Sequence, residues 1–180
     1  MKTKEMILCA IFAGILCVFS VMTIPIGPVP ISMGLFGIML AAGILGLKRG
    51  TIAVAVFILI GAVGVPVFTG FRGGLAPLVG PTGGYIWGYV PMTALIGVLT
   101  LKQPKNKWYA MLRYFLAFLA GVALCYAMGT VQFMIVQDTD FKSALGICVL
   151  PFIPFDIAKA LAASYISYAV RRALKKAEVF

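Results

Sequence analysis

The sequence predicts an all-α fold, an integral membrane bundle of six transmembrane helices with both termini cytoplasmic. Three observations carry that expectation. Of 180 residues, 62% are hydrophobic and 11% charged, with mean hydropathy +1.07, and a water-soluble domain of that composition would precipitate. Six apolar runs, each near the length of about 20 residues that a spanning helix needs, are separated by proline-, glycine- or lysine-rich breaks. Basic residues crowd into every second break. Six spans use roughly 120 residues and leave roughly 60 for connections, so a single membrane domain over 1–180 fills the chain.

The first span runs from about Met6 to Ile24 and ends at Ile26 to Pro30, where a glycine and two prolines stop a helix. The second, Ile31 to Leu47, stops at Lys48, Arg49 and Gly50, and Thr51 to Phe68 supplies the third; both are short and cross with tilt or local thinning. A glycine- and proline-rich segment, Thr69 to Gly84, leads to the fourth, Tyr85 to Leu101. After the polar turn Lys102 to Lys107 comes the fifth, Trp108 to Val136, longer than a bilayer requires and so tilted or interfacial at one end. Gln137 to Ser143 is polar, and the sixth runs from Ala144 to Val170, its first turns broken by Pro151 and Pro154.

Charge checks the count independently. With the N-terminus inside, Lys2, Lys4, Lys48, Arg49, Lys102, Lys105, Lys107, Arg171, Arg172, Lys175 and Lys176 all face the cytoplasm, while the outer connections hold Arg72 and Lys142. This is the asymmetry of the positive-inside rule, and moving the count by one span would scramble it. Residues 1–19 also have the lysines and apolar run of a signal peptide. The run continues through Val21 to Ile24 with no clean cleavage site, so it reads as an uncleaved first helix.

Several function classes fall away. No GxxxxGK[ST] loop is present and no soluble segment is long enough for a nucleotide-binding sheet, which excludes an ATPase within this chain. Histidine is absent, removing the commonest general base, the HExxH zinc site and the usual haem ligand; no metal or cofactor is expected. Cys9, Cys17, Cys125 and Cys148 are scattered without a CxxC pair and read as packing residues. The net charge of +10 would suit a phosphate backbone, but it sits at helix ends, where anionic lipid meets it. The partner is therefore a bilayer rather than nucleic acid, and the default is binding or passage rather than catalysis.

Within hydrocarbon a charged side chain is costly and marks function by default. Asp156 and Lys159 stand in Pro151-Phe-Ile-Pro-Phe-Asp-Ile-Ala-Lys159, three apart and so on one helical face. Two readings stay open: an internal ion pair that fixes the sixth span, or a clamp in which carboxylate and ammonium engage a polar ligand. Upstream prolines favour the clamp, because an interrupted helix start leaves backbone groups free near the outer mouth. The segment 71–88 carries Arg72, the pairs Gly73-Gly74 and Gly83-Gly84, and Thr82 entering a helix at Tyr85. Its glycines permit close backbone approach, which suits a lid or pocket wall over a small molecule. An interfacial place suits all three aromatics of this stretch, Tyr85, Trp87 and Tyr89; it is preferred for Trp87, and Tyr85, adjoining the glycines, is the candidate wall residue. Tyr126, Thr130 and Gln132 do not share a face and read as helix–helix hydrogen bonding. Ala10-x-x-x-Gly14, with Ala13 beside it, permits close helix approach, internal or to a partner protein.

Gly80-Pro-Thr-Gly-Gly-Tyr-Ile-Trp-Gly88 together with Pro151-Phe-Ile-Pro-Phe-Asp-Ile-Ala-Lys-Ala160 resembles the BioY family, the biotin-specific substrate-binding (S) components of energy-coupling factor (ECF) transporters. The resemblance spans nearly the whole chain, including the Pro25 to Ile31 loop. It implies a six-helix protein of the bacterial plasma membrane that captures biotin on the outer side. It also implies a transmembrane coupling protein and two cytoplasmic ATPases as partners, with Ala10 and Gly14 facing the coupling protein. Asp156 and Lys159 map onto the family's Pro-x-Asp-x-x-Lys element and are implied to touch the ligand; Phe155 stands before the aspartate, where a small residue is usual.

Biotin's ureido ring offers two N–H donors and a carbonyl acceptor, its ring and chain are apolar, and its tail ends in a carboxylate. An apolar cavity with a few placed polar groups suits it. Asp156 suits the ureido N–H groups, Lys159 the ureido oxygen or the carboxylate, and Arg72 or the amides near Gly73 and Gly74 are further carboxylate partners; either orientation satisfies the sequence. The competing classes are an S component for another small vitamin, a self-sufficient secondary transporter with Asp156 as proton site, and a membrane enzyme, for which no nucleophile motif stands beside the pair.

Overall fold

A computed structural model describes residues 3–24, 31–102, 104 and 106–177. Among these residues α1 (Thr3–Val21) leads to β1 (Thr23–Ile24) and β2 (Ile31–Ser32), which pair antiparallel with Thr23 opposite Ser32. Then follow α2 (Gly34–Ala62), α3 (Ala76–Val79), α4 (Gly83–Leu99), α5 (Lys107–Gln137), α6 (Phe141–Cys148) and α7 (Ile153–Lys176). The proline-glycine break at 25–30, Lys2 and Lys105 lie outside the described residues.

The second and third sequence-expected spans are joined in α2, but the helix is not continuous. Gly46 has φ 76° and ψ −168°, a region essentially closed to residues with a Cβ. A Cβ on Gly50 would stand 3.1 Å from the Ala41 carbonyl oxygen and 3.3 Å from the Ala42 Cα. Eight or nine residues on an unbroken helix would be separated by about 12–13 Å, so limbs 34–45 and 47–62 fold back on each other at Gly46. The basic Lys48-Arg49 pair marks this turn, as the sequence anticipates, with the reversal two residues earlier.

Among the described residues α1, α2 and α5 are long and apolar enough to cross a membrane by length and composition, α2 only when its two limbs are counted together. α6 and α7 meet the same measure together, bent by 50° at the break between them, and α4 is a shorter apolar helix of 17 residues. The expected sixth span is thus divided: Pro154 sits in the first turn of α7, where its missing N–H costs nothing, and residues 141–148 form a separate helix. α5 begins at Asn106, whose side chain accepts from the amides of Trp108 and Tyr109, and extends close to the expected bounds.

Packing joins these helices into one bundle. α4 lies against both α2 and α5, α1 against α2, and α7 against α2 and α5, around a core that includes Met39, Phe57, Met92, Ile96 and Phe118. Outward faces carry exposed Leu59, Leu112, Leu116, Ile135 and Leu161, an apolar exterior that hydrocarbon tolerates and water does not.

One end of the bundle is tied by cations. Arg49 pairs with Glu5, and Arg113 Nε donates to the Leu99 carbonyl at 2.7 Å. Arg171 Nη1 donates to the carbonyls of Gly43 (3.3 Å) and Thr100 (3.1 Å) and to the Tyr114 hydroxyl (3.2 Å). The start of α1, the Gly46 turn, the end of α4, the start of α5 and the end of α7 therefore share that end. The opposite end holds the β ladder, α3, α6 and the start of α7, and there a cavity opens.

Candidate functional site

The cavity at that end has a volume of about 230 Å3 and draws its walls from β2, the start of α2, the 68–82 segment, α4, α5 and the start of α7. Its buried side is built on α7. The bend after α6 starts α7 at Ile153, and Asp156 falls in the first turn, where the helix dipole favours a negative charge. Asp156 is 5% exposed, too buried for a carboxylate that lacks partners.

It has two. Lys159 Nζ donates to Asp156 Oδ1 at 2.9 Å, and the Tyr126 hydroxyl donates to Oδ2 at 2.5 Å. Lys159 also donates to the Ser32 carbonyl at 2.8 Å, which anchors β2 to α7. The ion pair and the cavity wall are therefore the same object, and the two sequence readings of this motif are compatible. A carboxylate offers about four lone-pair sites and an ammonium three N–H donors. Asp156 thus retains acceptor capacity and Lys159 one donor, side by side.

The aromatic walls come from α4 and α5. The Tyr85 hydroxyl donates to the Cys148 carbonyl at 2.7 Å, so Tyr85 presents mainly its ring to the cavity. Tyr89, for which the sequence left an interfacial place open, is buried and lines the cavity with Ile86. Tyr126 also lines it rather than serving helix packing alone. Gln132 Nε2 donates to the carbonyls of Leu78 and Gly80, and Trp87 Nε1 to Leu78. These bonds pin the loop containing α3 onto α4 and α5.

Arg72 stands on the outer rim. Phe68 and Arg72 exchange backbone hydrogen bonds at 2.9 and 3.3 Å across a three-residue turn in which Gly70 and Phe71 have φ of 74° and 57°. Arg72 is exposed and lines the cavity; among the described residues its guanidinium has no hydrogen bond or ion pair. Thr82, at the entry to α4, also lines the cavity.

Of the residues the sequence nominates, the structure gathers Asp156, Lys159, Arg72, Thr82 and Tyr85 around one cavity and leaves Gly73, Gly74 and Gly84 outside its lining. Those glycines have backbone reasons instead. A Cβ on Gly73 would lie 2.5 Å from the Val65 carbonyl oxygen, and one on Gly84 would lie 2.4 Å from that of Met128, where α4 crosses α5. Gly74 has φ 83°, and its amide donates to Gly61 at 2.7 Å. On α1, Ala10 and Gly14 are exposed and open space lies beside Gly14. Ala13, grouped with them from sequence, instead turns into the bundle at 2% exposure, because it lies a quarter turn off their face.

Fold and site together define a membrane protein that encloses a small-molecule cavity at one end of an apolar helical bundle. The BioY family model matches residues 1–176, and the chain belongs to the BioY family. The biotin transporter BioY of Thermotoga maritima is 39% identical over 176 residues, covering 98% of each chain. The probable biotin transporter BioY of Pyrococcus horikoshii is 36% identical over 167 residues, covering 93% of this chain and 96% of its own. Among solved structures, the S-component for biotin from an ECF-type ABC transporter superimposes with TM-score 0.83 at 30% identity, covering 96% of this chain and 95% of that one.

Proposed function

We propose that the chain is the biotin-binding S component of an ATP-driven ECF vitamin importer, crossing the bacterial plasma membrane six times with both termini cytoplasmic. One observation carries the reading: buried Asp156 and Lys159 keep an acceptor and a donor side by side, while Arg72, unpaired among the described residues, stands at the exposed rim of the same cavity. The edge of a ureido group presents an N–H beside a carbonyl oxygen, which matches Asp156 and Lys159. The ureido ring then occupies the buried side among Tyr85, Tyr89 and Tyr126, and the carboxylate meets Arg72 at the rim. Of the two orientations that the sequence leaves open, this is the one proposed.

The energies suffice for tight capture. Charge-assisted hydrogen bonds contribute roughly 1.5–3 kcal/mol each, and nanomolar affinity needs about 12 kcal/mol in total. Burial of the thiophane ring and aliphatic chain at about 25 cal/mol per Å2 supplies much of the remainder before ordering costs. Tight capture makes release the difficult step, and nothing in this chain hydrolyses a nucleotide. Release therefore falls to a transmembrane coupling protein and two cytoplasmic ATPases. The exposed face of α1 bearing Ala10 and Gly14 is the coupling surface, since small residues let another helix approach closely.

A thermal-shift panel of small vitamins on the purified chain tests this. Biotin at a hundredfold excess over its Kd stabilises by about 2.7 kcal/mol, and the unfolding temperature rises with biotin alone. A rise with another vitamin and none with biotin would make the chain an S component of different specificity. Ion-gradient-driven uptake into liposomes by this chain without other proteins would make it a secondary transporter.

A further inference from the structure

A second cavity, of about 380 Å3, adjoins the first. The two share Arg72 and Thr82 as lining residues. Beyond them the second is walled by Pro81, by Phe133 and Gln137 of α5, by Thr139 just past its end, and by Ile147 of α6. A pocket shaped for biotin alone would end at the cation that receives its carboxylate. Here space continues past Arg72, and its lining changes character: no acidic group, three apolar side chains (Pro81, Phe133 and Ile147), and an exposed amide at Gln137, with the Thr139 hydroxyl buried behind the wall and without a partner among the described residues.

We infer that this second cavity is a tail subsite, which lets the chain take biotin joined through its carboxyl group to an amine, biotinyl-lysine being a small zwitterionic member of that class. The inference rests on the biotin orientation proposed above. An amide carbonyl in place of the carboxylate still accepts from Arg72 but loses the charge assistance. The lysine portion then extends between Phe133 and Ile147, with the exposed Gln137 side-chain amide available to its ammonium and carboxylate. Replacing a charge-assisted hydrogen bond by a neutral one costs about tenfold in affinity before any new contact is counted.

Competition against radiolabelled biotin on the purified full chain decides it. Biotinyl-lysine is expected to displace the label with an affinity within about tenfold of biotin's. Gln137→Trp fills the second cavity from an exposed position outside the first; it should leave biotin within about twofold and weaken biotinyl-lysine by at least about fivefold. If that variant does not fold, Gln137→Phe narrows the same space and carries the same expectation. Label displaced by biotin but not by a hundredfold excess of biotinyl-lysine overturns the subsite and leaves the biotin reading standing. Equal weakening of both ligands by the Gln137 variant also overturns it. No binding of the label to the native chain removes the biotin reading itself, and the subsite with it.

Discussion

Asp156 shows how a single residue is made tolerable and useful at once. Two bonds, from Lys159 and Tyr126, hold its charge in a buried wall without exhausting its acceptor capacity. Tyr126→Phe removes one of them without changing shape, so biotin affinity should fall by about five- to thirtyfold, with folding retained, as titration calorimetry and a melting curve will report. Unchanged affinity would mean that Tyr126 merely packs. Asp140 tests a different kind of carboxylate, at the exposed start of α6. Hydrogen bonds from Ser143 hold its carboxyl below the usual range. Because the folded value is lowered, its support for α6 is complete above the unfolded value and is lost as pH falls through the folded one. Hydrogen exchange of the Ser143 and Ala144 amides should therefore be slowest relative to an unstructured chain above the ordinary carboxylate range and lose that protection progressively as pH falls through it towards the lowered folded value; protection that does not change with pH would contradict the assignment. The Asp156–Lys159 pair was legible in the sequence because charge in an apolar run is conspicuous. Tyr126 was not, since it stands 30 residues from Asp156 and an apolar helix hides which tyrosine faces a cavity.

The elements were legible wherever a break in hydropathy coincides with a break in structure. α1, α4 and α5 follow the apolar runs within a few residues. Two departures have backbone causes that hydropathy does not register. α2 reverses at Gly46 rather than at the charged residues, because Gly46 alone adopts the required φ and ψ; Gly46→Ala should cost about 1–3 kcal/mol and lower the melting temperature. Space is not the reason, since the nearest atom to the added Cβ would be Arg171 Nη2 at 3.5 Å. An unchanged melting temperature would mean that the turn accommodates other conformations. At Gly84 the reason is space: the Met128 carbonyl stands 2.4 Å from an added Cβ, so Gly84→Ala should push α4 off α5 and destabilise by about 1–3 kcal/mol. The same shift moves Tyr85 and Tyr89, so biotin affinity should fall with stability; a variant as stable and as tight-binding as the native chain would refute the close approach. The division of the last span into α6 and α7 was visible as Pro151 and Pro154, but prolines announce a break without its 50° bend.

At the scale of the whole molecule the two ends are chemically unlike. Arg49, Arg113 and Arg171 tie one end to carbonyls and to Glu5, while the other holds the cavity under a loop pinned by Gln132 and Trp87. Tags placed at the two termini should accordingly be shielded together in intact cells and exposed together on permeabilisation; opposite accessibility would break the six-span proposal. The cavity sits at one end and the cation-tied start of α1 and end of α7 at the other, so under the proposed function the bundle itself must transmit any signal for release, and α1 runs from one end to the other with an open face. The central claim is that the Asp156–Lys159 wall and Arg72 together capture biotin without help from another protein. Titration calorimetry of the purified chain tests it most directly. The account predicts near one-to-one binding of nanomolar strength, weakened at least about tenfold by Asp156→Asn and by Lys159→Ala. A folded chain that takes up no biotin, or both variants binding as tightly as the native protein, would contradict it.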